Sequence, residues 1–129
     1  MIAVDTNIVV RFLVRDDETQ ATLAASLIHT NEIWVAKTVL LETEWVLRRL
    51  YGFTPENVDG GFRTLAGMST VFLEDEAAVA KALDWFAQGL DFADALHLAS
   101  AGSAKRFATF DQKLVKRAGR LTGLEMASI

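Results

Sequence analysis

Short runs of apolar or β-favouring residues recur along the chain at Ile2-Ala3-Val4, Ile33-Trp34-Val35-Ala36, Val71-Phe72-Leu73, Phe107-Ala108-Thr109 and Leu124-Glu125-Met126. None is long enough for a helix, so the pattern predicts five short strands. Stretches of helical character lie between them, over roughly 18–29, 38–51, 55–65, 76–87, 94–103 and 111–118. Strand and helix in alternation, with strands apolar on both faces, imply a mainly parallel sheet with helices packed on both sides. The predicted class is α/β.

Boundary chemistry supports several of these helices. Thr54-Pro55 offers an N-cap followed by proline at the first helical position, and Gly52 can stop the helix that ends at Tyr51. The helix over 38–51 is unusual, because Val39, Leu40, Leu41, Trp45, Val46, Leu47, Leu50 and Tyr51 surround nearly its whole circumference. A small domain rarely buries every side of one helix. Part of this one is expected to meet another chain, a second copy of the protein or a different partner.

Composition narrows the class. With 129 residues, 51% apolar, 23% charged and a single proline, residues 1–129 read as one domain with a real core, and disorder is excluded. The absence of cysteine removes disulfides, thiolate nucleophiles, Cys-based zinc sites and iron–sulfur ligation together. The chain opens on Met-Ile-Ala-Val-Asp with no basic leader, and no apolar stretch approaches the ~18 residues a membrane span needs, so no membrane association and a cytoplasmic location are expected. A net charge of −4 argues against holding nucleic acid by bulk electrostatics alone. The charge is unevenly placed, however. Lys105, Arg106, Lys113, Lys116, Arg117 and Arg120 fall within sixteen residues that carry one acid, Asp111.

In open α/β sheets ligands bind beyond the carboxyl ends of the strands, so an acid just after a strand is a candidate site residue. Asp5 and Asp111 are placed that way. Each could equally be the N-cap of the next helix, and both roles can hold at once. Glu42 has Thr38, Val39, Trp45 and Val46 as its helical neighbours, an apolar setting in which a carboxylate needs a cation, strong donors, or a pair with Arg49 or Arg11. Glu44 is accounted for by Arg48 at i+4. Asp91 and Asp94 sit among small and apolar residues, where one can cap a helix while the other lies in its first turn. Carboxylates converging without Cys or a His cluster make a hard-oxygen site that suits Mg²⁺ or Mn²⁺ and disfavours zinc. The chemistry such a site serves is phosphoryl transfer.

Four elements in order, Val4-Asp5-Thr6-Asn7, Glu42, Phe92-Ala93-Asp94-Ala95-Leu96 and Ala108-Thr109-Phe110-Asp111, give the chain its resemblance to PIN-domain ribonucleases and, within them, to the VapC family of bacterial toxins. The resemblance covers essentially the whole chain. It implies a PIN-like three-layer α/β/α fold and an acidic quartet of Asp5, Glu42, Asp94 and Asp111, with Asp5 and Asp94 as leading metal ligands. Asp91 is then either a further ligand or a helix cap. Thr6, Asn7 and Thr109 match the polar positions that orient the carboxylates. The resemblance also implies hydrolysis of RNA, tRNA or ribosomal RNA, by metal-activated water, a homodimer, and a small antitoxin that blocks the active groove.

Other residues allow other readings. His29 and His97 could serve a metal-free ribonuclease as base and acid. Lys113, Lys116, Arg117 and Arg120 could line the groove and contact phosphates, or form a merely solvated face. Trp34, Trp45 and Trp85 have apolar neighbours that favour packing over base stacking. A metal-dependent phosphatase or phosphoacceptor domain would use Asp5 as nucleophile, but the phosphatase version wants an acid two residues on, where Asn7 stands. A catalytically silent interaction module is the third reading, and the retained quartet argues against it.

Overall fold

A computed structural model describes all residues, Met1–Ile129, as two compact units, Met1–Glu76 and Ala77–Ile129. The first holds β1 (Ile2–Ala3), α1 (Thr6–Val14), α2 (Glu18–Thr30), β2 (Ile33–Val35), α3 (Lys37–Tyr51), α4 (Pro55–Ala66) and β3 (Val71–Leu73). The strands pair in the order β1-β2-β3, all parallel, with Ala3 opposite Trp34 and Trp34 opposite Phe72. Parallel neighbours need long crossovers, and helix pairs supply both of them here: α1–α2 between the first two strands and α3–α4 between the next two. The second unit holds α5 (Glu76–Ala87) apart from its first residue, α6 (Phe92–Ala99), β4 (Arg106–Phe107), α7 (Gln112–Leu121) and β5 (Glu125–Met126), with β4 and β5 also parallel. The α/β class and the parallel pairing agree with the sequence pattern. The five strands hydrogen-bond as a set of three and a set of two.

The core of the first unit is one buried face from each of its helices plus alternate strand residues. Val9, Ala24, Ile28, Ile33, Val35, Leu40, Leu47, Val58, Phe62 and Leu65 are all buried. The strands are not buried on both faces, as their composition suggested. Ala3, Trp34 and Phe72 share the other face of the pleat and are exposed, the two aromatics at 37% and 40%. A continuous apolar run conceals this alternation, because Trp and Phe count as apolar wherever they point.

Helix ends follow the local chemistry. Thr54 and Asn57 form a capping box ahead of Pro55, and Gly52 closes α3 at φ +64°, a left-handed conformation in which any side chain is strained. At the far end of α1 the Tyr51 hydroxyl donates to Asp16 Oδ2 at 3.0 Å and accepts from the Arg11 guanidinium at 3.3 Å, while Arg11 also pairs with Asp16 at 2.8 Å. This three-residue link joins the ends of α1 and α3. Tyr51→Phe is expected to lower the unfolding free energy by about 1 kcal/mol, read from the urea midpoint. An unchanged midpoint would show that the link contributes nothing.

Candidate metal centre

The residues singled out by sequence fall into two groups, one in each unit. In the first, Asp5 follows β1 and caps α1, its Oδ1 accepting the Ile8 N–H at 3.4 Å. The neighbouring Thr6 hydroxyl donates to Glu42 Oε1 and so ties the start of α1 to α3. Asp5 and Asn7 also border a cavity of about 500 Å³, whose remaining walls are Ile8, Arg11, Gln20, Leu23, Ala24 and Leu27.

Glu42 differs from its expected setting. It is exposed, and the buried acid of α3 is Glu44, 4% exposed and paired with Arg48 at 2.8 Å. The inward face of α3 consists of Leu40, Thr43, Glu44 and Leu47, whereas Trp45 and Leu50 point outward. Neither arginine offered as a partner for Glu42 pairs with it. Arg11 is engaged by Asp16 and Tyr51, and the hydrogen bond to Glu42 comes from Thr6.

In the second unit Asp91 caps α6, with Oδ2 accepting the Asp94 N–H at 3.2 Å, and Asp94 lies in the first turn. Asp111 caps α7, its Oδ1 accepting the Lys113 and Leu114 N–H groups at 3.0 and 3.2 Å. Thr109 Oγ1 in turn accepts the Asp111 N–H at 3.0 Å and fixes that corner. The three aspartates line one cavity of about 310 Å³ with Leu90, Lys113, Leu114 and Arg117. Burial, then the negative charges of Asp91 and Asp111, push the Asp94 carboxyl above the ordinary carboxylate range, and His97 offsets part of this. The Arg117 guanidinium donates to the Gly89 carbonyl at 2.7 Å, tying α7 to the turn ahead of α6, where Gly89 has φ +104°. Lys116 and Arg120 are exposed elsewhere on α7. His97 is exposed on α6, and His29 sits edge-on to Phe12 with ring centroids 6.2 Å apart.

In neither unit do three His, Asp or Glu side chains stand close enough together, as placed, to enclose an ion. The chemistry nonetheless fits one. No hydrogen-bond donor stabilises the Asp94 carboxylate, which shares its cavity with two more acids. Asp91 and Asp111 each commit a single oxygen to capping and keep the other. Hard-oxygen donors of this kind attract Mg²⁺ or Mn²⁺.

One acid satisfies the strand-end rule and was not singled out by sequence. Glu74 directly follows β3, and its Oε1 accepts the Lys37 N–H at 2.8 Å, capping α3 where Ala36 has no side chain to do so. The next residue, Asp75, pairs with Lys37 Nζ at 3.2 Å. Both acids serve the start of α3.

Parallel strands linked by helical crossovers, with carboxylates set at strand ends and helix starts, define the protein as α/β. The chain belongs to the PIN domain family, which matches residues 2–120. PIN domains are generally nucleases, typically dependent on divalent metals, and their proteins commonly bind RNA and antitoxins. No curated protein and no solved structure matches the chain. No helix is long and apolar enough to cross a membrane.

Proposed function

We propose that the protein is a metal-dependent endoribonuclease toxin of the VapC type, which hydrolyses phosphodiesters of tRNA or ribosomal RNA and is neutralised by a small cognate antitoxin. The observation that carries this reading is the Asp94 carboxylate, destabilised as an anion beside Asp91 and Asp111 in a PIN domain. Asp5 and Asp94 are the leading ligands for Mg²⁺ or Mn²⁺, with Glu42, Asp111 and Asp91 in support. When bound, such an ion supplies Lewis acidity toward a phosphodiester oxygen and makes water more acidic.

The chain's own residues orient and attract. Thr6 holds Glu42, Thr109 holds the backbone of Asp111, and Asn7 presents its amide one residue further along α1. Lys113 shares the cavity with the three aspartates and offers positive charge to a phosphate. Arg117 does so while bound to Gly89, and Lys116 and Arg120 extend the basic side of α7. In this reading residues 1–129 act as one domain in the cytoplasm, as a homodimer. Support for the dimer comes from α3, which leaves Trp45 49% and Leu50 67% exposed. The cavity beside Asp5, apolar along Ile8, Ala24 and Leu27 with Leu23 66% exposed, supports an antitoxin segment as occupant.

The test is product chemistry. The purified protein with Mg²⁺ and single-stranded RNA is expected to yield fragments carrying 5′-phosphate and 3′-hydroxyl ends, and none in chelator. Cyclic 2′,3′-phosphate products, or undiminished cutting in chelator, would remove the metal mechanism and restore a role for the histidines.

A further inference from the structure

Phe110 is 86% exposed, more than twice the value of the next most exposed phenylalanine, Phe72 at 40%. Leaving a benzyl side chain in water forgoes the burial that drives folding, so its position invites a partner. Its backbone is held on both sides. Thr109 Oγ1 accepts the Asp111 N–H across it at 3.0 Å, and the Asp111 carbonyl already accepts from Val115 in α7 at 3.0 Å. The ring therefore projects from a fixed corner, one residue from Asp111 and three from Lys113, both of which line the carboxylate cavity.

The surroundings say what kind of partner fits. Lys105, Arg106, Lys113 and Lys116 are exposed near Phe110 in the chain, whereas Phe107 and Val115 are at least partly withdrawn from solvent. Charged residues are depleted from the centres of protein interfaces, so an aromatic whose exposed chain neighbours are mostly cations is a poor seed for one. The same combination is what single-stranded nucleic acid uses: cations for the backbone and an aromatic face on which a base stacks, whatever its identity. A base lies within one nucleotide of its own phosphate, and Phe110 lies within one residue of the acid that borders the cavity.

We infer that Phe110 is a stacking platform for one nucleobase of single-stranded RNA next to the phosphate that is cut. This rests on the ribonuclease reading above. The probe is a fluorescein-labelled 12-nucleotide single-stranded RNA, titrated in Ca²⁺ buffer and followed by anisotropy, with cleavage measured separately in Mg²⁺. Phe110→Ala is expected to weaken binding about 5- to 150-fold, and Phe110→Trp to retain it within about 3-fold. KM should rise with kcat nearly unchanged, and the melting temperature should not fall. A set of RNAs with a single abasic nucleotide moved along the strand supplies the sharper readout. At one position the abasic RNA should bind wild type as weakly as Phe110→Ala binds intact RNA, with no further loss when the two changes are combined. Additive losses at every position would overturn the inference, as would a Phe110→Ala variant that binds RNA normally but sediments as a smaller species. A wild-type protein that neither binds nor cuts RNA would remove the ribonuclease reading itself, and this inference with it.

Discussion

Asp94→Asn is expected to reduce Mg²⁺-dependent RNA cleavage by about 10²–10³-fold or more, and at the same time to raise the melting temperature of the metal-free protein. The second effect follows from the sign of the Asp94 shift. Burial and the charges of Asp91 and Asp111 raise its folded-state pKa above the unfolded value. The folded chain then binds the proton more tightly, so stability falls as pH climbs from the ordinary carboxylate range through the raised value, and stays reduced above it. Above the raised value the wild type carries that penalty, and Asn removes it. Near pH ~3, where the carboxyl is protonated in both states, the two proteins should melt together. Adding Mg²⁺ should reverse their order, because a ligand that binds only the folded state stabilises it by about 2.7 kcal/mol at a hundred times its Kd. Melts followed by circular dichroism in chelator and in Mg²⁺ test both halves. An Asn variant that melts lower in chelator would show that the Asp94 carboxylate is not strained, and one that gains as much from Mg²⁺ as wild type does would show that it is not a ligand.

What could be read from sequence was what local chemistry decides. The N-cap at Thr54 ahead of Pro55 and the helix stop at Gly52 each depend on a few adjacent residues, and each stands where the sequence puts it; the structure adds Asn57 to the first as a capping box, and it shows Asp91 capping α6, one of the two roles the sequence leaves open. Helix α1 is not among the predicted helices. Five of its nine residues, Thr6, Ile8, Val9, Val10 and Val14, are β-branched, a composition that favours strand over helix and hides the helical pattern. Burial of Val9 and Val10, with the Asp5 cap, overrides that propensity. The exchange of Glu42 for Glu44 as the buried acid has a different cause. Around a helix apolar on nearly every side, no stripe identifies the inward face, and two residues on turns the chain through about 200°. Glu74 shows the opposite failure, since the strand-end rule that selects Asp5 and Asp111 selects it equally well. Only the hydrogen bond to Lys37 separates a structural acid from a candidate ligand.

Phe92→Ala is expected to cost about 3–5 kcal/mol, roughly a fifth or more of the stability of a domain this size. Phe92 is fully buried, and its ring meets Phe86 edge-on with centroids 5.4 Å apart, a geometry that adds about 0.5–1.5 kcal/mol beyond burial. It is also the first residue of α6, flanked by the cap Asp91 on one side and reaching Asp94 within the same turn. Packing of this one ring therefore anchors the segment that presents both carboxylates. Phe92→Leu, which keeps most of the volume, should cost about 1–1.5 kcal/mol and leave the carboxylates where they are. The urea midpoint should drop in proportion while the slope stays constant, as expected if only the folded state is affected. At a temperature where the Ala variant remains folded, the Mg²⁺-induced rise in melting temperature separates anchoring from simple loss of stability. A variant that is destabilised but keeps the wild-type Mg²⁺ response would show that the Asp91–Asp94 turn holds its shape without Phe92. A reduced response alongside the destabilisation ties the core of the second unit directly to its acidic site.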